Sequence, residues 1–535
     1  MNLNTEKLCS IIEGRFLHKM PQTSFRGVSI DSREADLKQK IFFAIKGTHF
    51  DGHDFLDQAL KKEVSALVVH KRVSFKTNST TIIQVDDTLR AFHRLASWWR
   101  QTLNFSVIGI TGSTGKTTTK NFCLTLLNPK GFTKMNLQGE LPWEKKQKDT
   151  LPLQSQTSRK GKTRQGSNKT GIKPSVSSHN PNFNLKCIHP LHQEEKTIIA
   201  SPKSFNNMYG VPLTLLSADE NTKIVIQEIG MNQKGEIKSL CQLTQPDIVT
   251  VTQIGSSHIG ILGDKAGIAK EKEEIYINSP KSSGVFNLDD PYTKAMYKRW
   301  IEGGKSRKAL CFSSQNSKAD VFFQIKQINK HSLSITGHLQ GVPGSVTVPV
   351  VGAAHLNNLM AASALTLASG GIEHKIWQNL SLCRLPEGRN QWIPLSSGAQ
   401  ALFDAYNASY ESVMALLDYF LSPPIKEEKV LILGDFMELG TYLKKLQVDV
   451  AHRLAHSDIT LIWLIGDQAH SFETILKEQG YRAEVYCSKN FDPAIVKKIL
   501  PLLNPSTVVA FKASRKMQME KILTHFQPQK EECAT

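Results

Sequence analysis

Apolar residues along this chain keep two rhythms. Short solid runs, Ile41–Ile45, Ala66–Val69, Ile224–Ile229, Ile248–Val251 and Gly284–Phe286, have the length and β-branched content of strands buried on both faces. Between them lie stretches that suit helices: 55–62, 88–103 with Trp98 and Trp99, 266–277, and the small-residue run Ala361–Ala368. The alternation resumes beyond Arg389. Strands are predicted at Ala401–Phe403, Val430–Leu433, Leu461–Ile465 and Val508–Phe511, and helices at Ser412–Phe420 and Asp449–His456. Such alternation predicts an α/β fold of parallel sheets covered by helices. At 535 residues the chain is too long for one core. Its breaks predict three domains, 1–103, 104–388 and 389–535, the last a doubly wound, Rossmann-like sheet.

One segment keeps neither rhythm. Residues 128–195, rich in Lys, Ser, Gln, Asn and Pro, read as a disordered insertion into the second domain. Between Pro129 and Ala200 there are thirteen Lys/Arg against five Asp/Glu, a large share of the net charge of +18. The run Arg159–Arg164 suits an anionic membrane surface or a nucleic acid, but a solvated loop explains it with fewer assumptions. The remaining positive excess is thinly spread, so no nucleic-acid partner is expected. No apolar run approaches the roughly 18–20 residues that span a bilayer. Glu6, Glu13 and Arg15 interrupt the N-terminus where a signal segment would be apolar. Eight scattered cysteines with no C-x-x-C pair read as free thiols. The expectation is a cytoplasmic protein without stable membrane insertion.

Candidate chemistry concentrates at 105–120. Val107, Ile108 and Ile110 form a strand, Gly112, Gly115 and the triplet Lys116-Thr117-Thr118 follow, and Phe122–Leu127 suits a helix. A strand that delivers glycines to a helix N-terminus gathers free N–H groups and partial positive charge at one spot, which suits a phosphate chain. Lys116 reaches outer phosphates and the Thr117 hydroxyl suits Mg²⁺, so ATP is the expected ligand. Gly109 stands one residue too early for the strict phosphate-loop spacing, which marks a variant loop. The candidate nucleotide set is Gly109, Thr111, Gly112, Ser113, Thr114, Gly115, Lys116, Thr117 and Thr118.

Other polar residues sit at predicted strand ends, where open α/β sheets bind ligands. Glu228 suits a Mg²⁺ ligand or a helix cap; His258 suits a metal or phosphate role or a structural one. Lys272, flanked by acids in Ala269–Tyr276, reads from the residues alone as a solvated helix face. Asp404–Asn407 and Gly434–Gly440 each close a strand with a turn, and Gly388-Arg389 stands at a hinge between domains.

Taken in order, these segments resemble the Mur ligase family over nearly the whole chain outside the insertion. The resemblance rests on Gly109–Thr118 with its early glycine, Asp31-Ser-Arg33, Ile41–Gly47, Phe50–Phe55, Asn206–Thr214, Glu228–Ile237, Asp404–Ala408 with Ser412, and Gly434–Gly440. The Asn206–Thr214 and Glu228–Ile237 segments resemble the branch that adds a dipeptide. The Asp-Asn-Pro-Arg signature of the branch adding a diamino acid is absent.

The resemblance implies an ATP- and Mg²⁺-dependent ligase. It would join D-alanyl-D-alanine to UDP-N-acetylmuramoyl-tripeptide through an acyl phosphate, in peptidoglycan precursor synthesis, as a monomer. Lys116, Glu228, His258 and Lys272 would be catalytic. Thr117, Glu228, His258 and a carbamylated Lys272, with Lys270 the fallback, would hold metal. Asn358 and Arg389 would meet the nucleotide. Ser32, Arg33, Lys46, Gly47, Asp51, His53, Asn206, Asn207, Asp404, Tyr406, Asn407, Glu438, Lys512 and Ser514 would meet the substrates. Three residues depart from the family pattern: Gly260 replaces a glutamate, His355 an asparagine and Ala513 a glycine. Other acceptors, as in the diamino-acid branch or a folylpolyglutamate synthase, and a non-catalytic nucleotide-binding scaffold, are the alternatives.

Overall fold

The computed structural model describes residues 3–21, 24–47, 51–73, 75, 77–129, 197–304 and 307–527. The basic insertion, beyond Asn128 and Pro129, therefore lies outside the described residues, as does Phe50. Three sheets follow one another along the chain. The first holds β1 Arg15–His18, β2 Gly27–Ser29, β3 Lys40–Phe43, β4 Ala66–Val69 and β5 Thr81–Gln84, in the order β1-β5-β4-β3-β2. All its pairs are parallel except β1 with β5.

The second sheet positions the site. Its strands are β6 Ser106–Thr111, β7 Thr197–Ala200, β8 Thr222–Glu228, β9 Ile248–Val251, β10 Ser283–Asn287, β11 Ala309–Ser313, β12 Val321–Ile328, β13 Leu333–Leu339 and β14 Val342–Val348. The order is β14-β13-β12-β11-β10-β9-β6-β8-β7, so β6 lies between β8 and β9, parallel to both. Strands β12, β13 and β14 form an antiparallel meander, an extension that the search for solid apolar runs did not anticipate. Its strands alternate buried with half-exposed positions, because one face meets solvent.

The third sheet runs β15-β16-β20-β17-β18-β19, with β15 Gln391–Pro394, β16 Gln400–Phe403, β17 Glu428–Gly434, β18 Ile459–Ile465, β19 Glu484–Ser488 and β20 Thr507–Lys512. It is parallel apart from the edge pair β15–β16. Separate apolar clusters form on its two faces, one around Leu431, Ile462 and Phe420, the other around Ile432, Trp463 and Phe511. A solid apolar strand such as Ile459–Ile465 fills both.

Most predicted elements start within a residue or two of their expected positions. Two helices begin earlier: His355–Ala368 by six residues and Tyr442–Ala455 by seven. In both, the first turns carry polar residues (His355, Asn357 and Asn358; Lys444 and Lys445) that mask the apolar period. The six described cysteines are free, and no helix among the described residues is long and apolar enough to cross a membrane.

Candidate functional site

Parallel pairing brings the chemistry to one edge. Ile110 of β6 pairs with Glu228 of β8, and Thr111 pairs with Val251 of β9, so three strand ends open onto the same loop. The loop itself is short, Gly112–Gly115, and leads into the helix Lys116–Leu127. Gly112 has φ +146° and a Cβ there would lie 1.9 Å from Thr252 Oγ1. Gly115, at φ +85°, would drive a Cβ to 2.2 Å from Asn358 Oδ1. Neighbouring hydrogen bonds fix the loop. Ser113 N donates to Gln253 O (2.9 Å), Ser113 Oγ to Gly255 O (3.2 Å), and Ser257 Oγ to Ser113 O (3.1 Å). The amides of the helix's first turn have no partner within the helix and open toward the loop.

Gly109 has a different place. It lies inside β6, paired with Gln227 and Val249, and a Cβ there would meet Pro246, Ile229 and Ile275 at 3.2–3.5 Å. The early glycine serves close packing under the loop and is not part of the phosphate cradle, a correction to the sequence reading. Thr111 is likewise buried at the end of β6.

A cleft with about 1240 Å³ of empty volume opens in front of this loop. Its walls carry Ser113–Thr117 from the loop, Asn206 and Asn207, Glu228, His258 and Lys272 from the second sheet's connections, then Arg389, Tyr406, Asn407 and Glu438. A smaller adjoining cleft is lined by Thr114, Gly115, Thr118, His355, Asn358, Arg389 and Asp404. The residues singled out from the second and third domains thus converge, apart from Gly109, Thr111 and Gly112 at the strand end and two residues of the third domain. Lys512 is buried beneath the surface, its Nζ donating to Asp404 Oδ2 at 2.5 Å, and Ser514 Oγ accepts from Met437 N at 2.8 Å. Both support the wall without lining it.

The N-terminal candidates gather elsewhere, in the first sheet's lobe. Arg33 makes two hydrogen bonds to the Asp31 carboxylate, Ser32 Oγ donates to Gln58 Oε1, and Lys46 bridges to Asp51 in the backbone. Asp51 faces His53 Nδ1 and Lys71 Nζ, each at 2.6 Å. None of Ser32, Arg33, Lys46, Gly47, Asp51 or His53 lines either cleft.

Electrostatics in the large cleft follow from burial. Lys116 Nζ donates to Gly112 O at 2.7 Å, and burial lowers its pKa against the opposing pull of Glu228. Burial first, then Lys116, drives Lys272 well below the usual lysine range; Lys270 is exposed on the same helix, so the buried position is Lys272. Burial, Lys272 and Lys116 push His258 down to about 4. Its Nδ1 lies 3.9 Å from Glu438 Oε2, and its backbone is left-handed at φ +67°.

Glu228 is fully buried, and neither carboxylate oxygen has a hydrogen-bond partner. The charge set against it is Lys120, whose Nζ lies 3.0 Å from Oε1 and also donates to Ser201 O and Lys203 O at 2.6 Å each. Sequence reading passed over Lys120. Its signal was spacing: four residues beyond Lys116 on one helix, it projects from the same face. Arg389 Nε is also buried without a partner, and its guanidinium lies 4.6 Å from the Tyr406 ring centre.

Two of the departures are absorbed by packing. Ala513 turns its methyl toward Gly434, where a Cβ would come within 2.8 Å of it. Gly260 rests against Gly440, where a Cβ would lie 3.1 Å from the Gly260 Cα. His355 is buried, and burial pushes it down to about 4. Its ring nitrogens face the side-chain amides of Asn358 (3.2 Å) and Asn390 (3.3 Å). Glu411, also missed, ties the third lobe to the second: its carboxylate accepts from Ser256 N at 3.0 Å and Ser256 Oγ at 2.9 Å, with Lys265 Nζ 3.1 Å away.

Residues 24–100 match the model of the Mur ligase family catalytic domain, 184–366 the Mur ligase middle domain, and 388–515 the Mur ligase glutamate ligase domain. The chain is 28% identical to the UDP-N-acetylmuramoyl-tripeptide–D-alanyl-D-alanine ligase of Bacillus subtilis (strain 168), over 94% of this chain and 93% of that protein. A crystal structure of MurF from Acinetobacter baumannii superposes with a TM-score of 0.75 at 23% identity, covering 98% of both chains. The MurF ligase of Thermotoga maritima in complex with ADP gives 0.68 at 22%, covering 94% of this chain and 97% of that one.

Proposed function

This chain belongs to the Mur ligase family, and from that premise we propose that it is an ATP-dependent ligase joining D-alanyl-D-alanine to UDP-N-acetylmuramoyl-tripeptide. The observation that carries the reading is the meeting, in one cleft, of a phosphate loop, a buried carboxylate without hydrogen-bond partners and polar side chains from the third lobe. We assign 1–103 to the nucleotide-sugar substrate, 104–388 to ATP and 389–535 to the incoming dipeptide. The reaction would run in the cytoplasm, by a monomer.

The chemistry is a two-step transfer. The tripeptide's terminal carboxylate attacks the γ-phosphorus of ATP; the bond to the β-bridging oxygen breaks, ADP leaves and an acyl phosphate forms. The dipeptide amine then attacks the acyl carbon, inorganic phosphate departs with the C–O bond electrons, and the amine's proton passes to solvent or phosphate. Lys116 and the amides of Gly112–Thr118 hold the phosphate chain, and Lys116 meets the charge that builds on the moving phosphoryl group. Arg389, with its unpartnered Nε, stands between the two clefts and faces anionic groups from both. Asn358, beside the loop, lies on the nucleotide side.

The donor set fits Mg²⁺: Glu228 is buried with no hydrogen bond to either oxygen, only Oε1 faces the Lys120 ammonium, and Thr117 and His258 line the same cleft. When bound, the ion would neutralise phosphate charge and lower the cost of bringing two anions together. Lys272 suits carbamylation, because burial disfavours its charged form and a neutral amine adds CO₂ with loss of one proton. The product is an anion where a cation was disfavoured. Asp404, Tyr406, Asn407 and Glu438, with Lys512 and Ser514 behind them, form the acceptor side; Asn206 and Asn207 close the donor side. Ser32, Arg33, Lys46, Gly47, Asp51 and His53 would hold the nucleotide-sugar end.

The test is phosphate release from ATP with UDP-N-acetylmuramoyl-tripeptide, D-alanyl-D-alanine or a free diamino acid being the acceptor. Release and amide formation with the dipeptide alone is expected. Turnover with the diamino acid instead would reassign the acceptor, and ATP binding without turnover by either would leave a scaffold.

A further inference from the structure

The dipeptide that enters this cleft carries a carboxylate as well as an amine, and only the amine belongs at the reacting carbon. An extended dipeptide is about 7 Å long, so its carboxylate needs a cationic group apart from those at the reacting carbon. We infer that Arg515 is the subsite for that carboxylate, an inference that rests on the acceptor proposed above.

The other cations have other places. Lys116 is bonded to its own loop, Lys512 is buried on Asp404, and Arg389 also lines the smaller cleft beside Gly115 and Asn358. Arg515 lines only the large cleft. It opens the short turn Arg515–Met517 after β20, and the residue before it is fixed: Ser514 N donates to Asp435 O at 3.1 Å, and Ser514 Oγ accepts from Met437 N. The guanidinium lies 5.8 Å from the Tyr406 ring centre. The ring of Tyr406 thus has Arg389 and Arg515 as cationic neighbours, and its hydroxyl bonds to Ser204 Oγ on the donor side.

Among the described residues Arg515 pairs with the Glu520 carboxylate, at 2.9 Å from NH1, and the two side chains are 58% and 42% exposed. A pair so exposed contributes little and is readily exchanged. A guanidinium has five N–H donors in a fork that matches a carboxylate, and this one is placed by its backbone while its present partner is replaceable.

Steady-state ligation by the full chain, with ATP and UDP-N-acetylmuramoyl-tripeptide saturating, tests this. Wild type, Arg515→Met and Arg515→Lys are each supplied with D-alanyl-D-alanine or its C-terminal amide. Wild type should prefer the free acid by about thirtyfold in kcat/KM, which corresponds to about 2 kcal/mol. Arg515→Met should raise KM for the acid by about thirtyfold, leave KM for ATP and the rate with the amide unchanged, and so abolish the preference. Arg515→Lys, which keeps the charge without the fork, should recover part of it. Retention of the acid preference by Arg515→Met overturns the inference, as does an equal loss toward the acid and the amide. If wild type ligates neither acceptor, the reaction assigned above fails, and that outcome is distinct because no variant is needed to see it.

Discussion

Replacing Lys120 with methionine tests whether the ion pair behind the phosphate loop is structural ground for Glu228. The side chain is replaced by an apolar one of similar length, so the loss is charge and hydrogen bonding rather than volume. Two carbonyls lose their donor, Ser201 O and Lys203 O at 2.6 Å, and Glu228 Oε1 loses the ammonium 3.0 Å away. Both members of the pair are buried, with side chains 3% and 0% exposed, so solvent replaces little of what is removed. Leaving a buried charge without its partner costs about 3–5 kcal/mol. Spread over a lobe of this size, about 4 kcal/mol lowers Tm by roughly 8–16 °C. Removing the charge that is left behind should relieve part of the loss, so Lys120→Met/Glu228→Gln should melt above Lys120→Met. Thermal melts of wild type and both variants at pH 8 measure it. A Lys120→Met protein that melts with wild type at pH 8 refutes the argument.

Three further outcomes are expected. Lys116→Ala should abolish turnover, by at least about 10³-fold, while near-ultraviolet circular dichroism stays that of the wild type; ordinary rates would remove the phosphate-loop mechanism. Gly115→Ala places a Cβ 2.2 Å from Asn358 Oδ1 at a left-handed position, so calorimetry should find Mg-ATP affinity lost or reduced at least tenfold. His355, pushed down to about 4 by burial, contributes stability that is full above its unfolded pKa of about 6.5 and is lost as pH falls toward 4. His355→Asn should therefore flatten the acid limb of a Tm-against-pH profile between pH 6.5 and 4, and an unchanged limb would mean that another group governs it.

The strands that carry the chemistry were legible because they are buried on both faces. Ile248–Val251 and Ala66–Val69 were placed to the residue, since a solid β-branched run bounded by polar residues admits little else. Strands with one solvated face were not, and the meander β12–β14 went unread for that reason. The phosphate loop was legible as a pattern, but the job of Gly109 was not. A glycine needed for packing against Ile229 and Ile275 looks the same in sequence as one needed for a turn. Lys272 read as a solvated position because its flanking acids are what a surface helix carries, and only the fold makes it buried. Lys120, Glu411 and Arg515 depend on partners 81, 155 and 109 residues distant, such as Ser201, Ser256 and Tyr406; spacing from Lys116 gives the face of Lys120, but nothing local reports these pairings.

The bond from Glu411 to Ser256 has a wider reach than its two residues. Ser256 lies between Gly255 and Ser257, and those neighbours hold Ser113 of the phosphate loop from both sides. Seating of the acceptor lobe and the shape of the nucleotide cradle therefore share one three-residue stretch of main chain, Gly255–Ser257. A ligand of one half that strengthens this contact would gain affinity from a ligand of the other by the same factor that it gives in return.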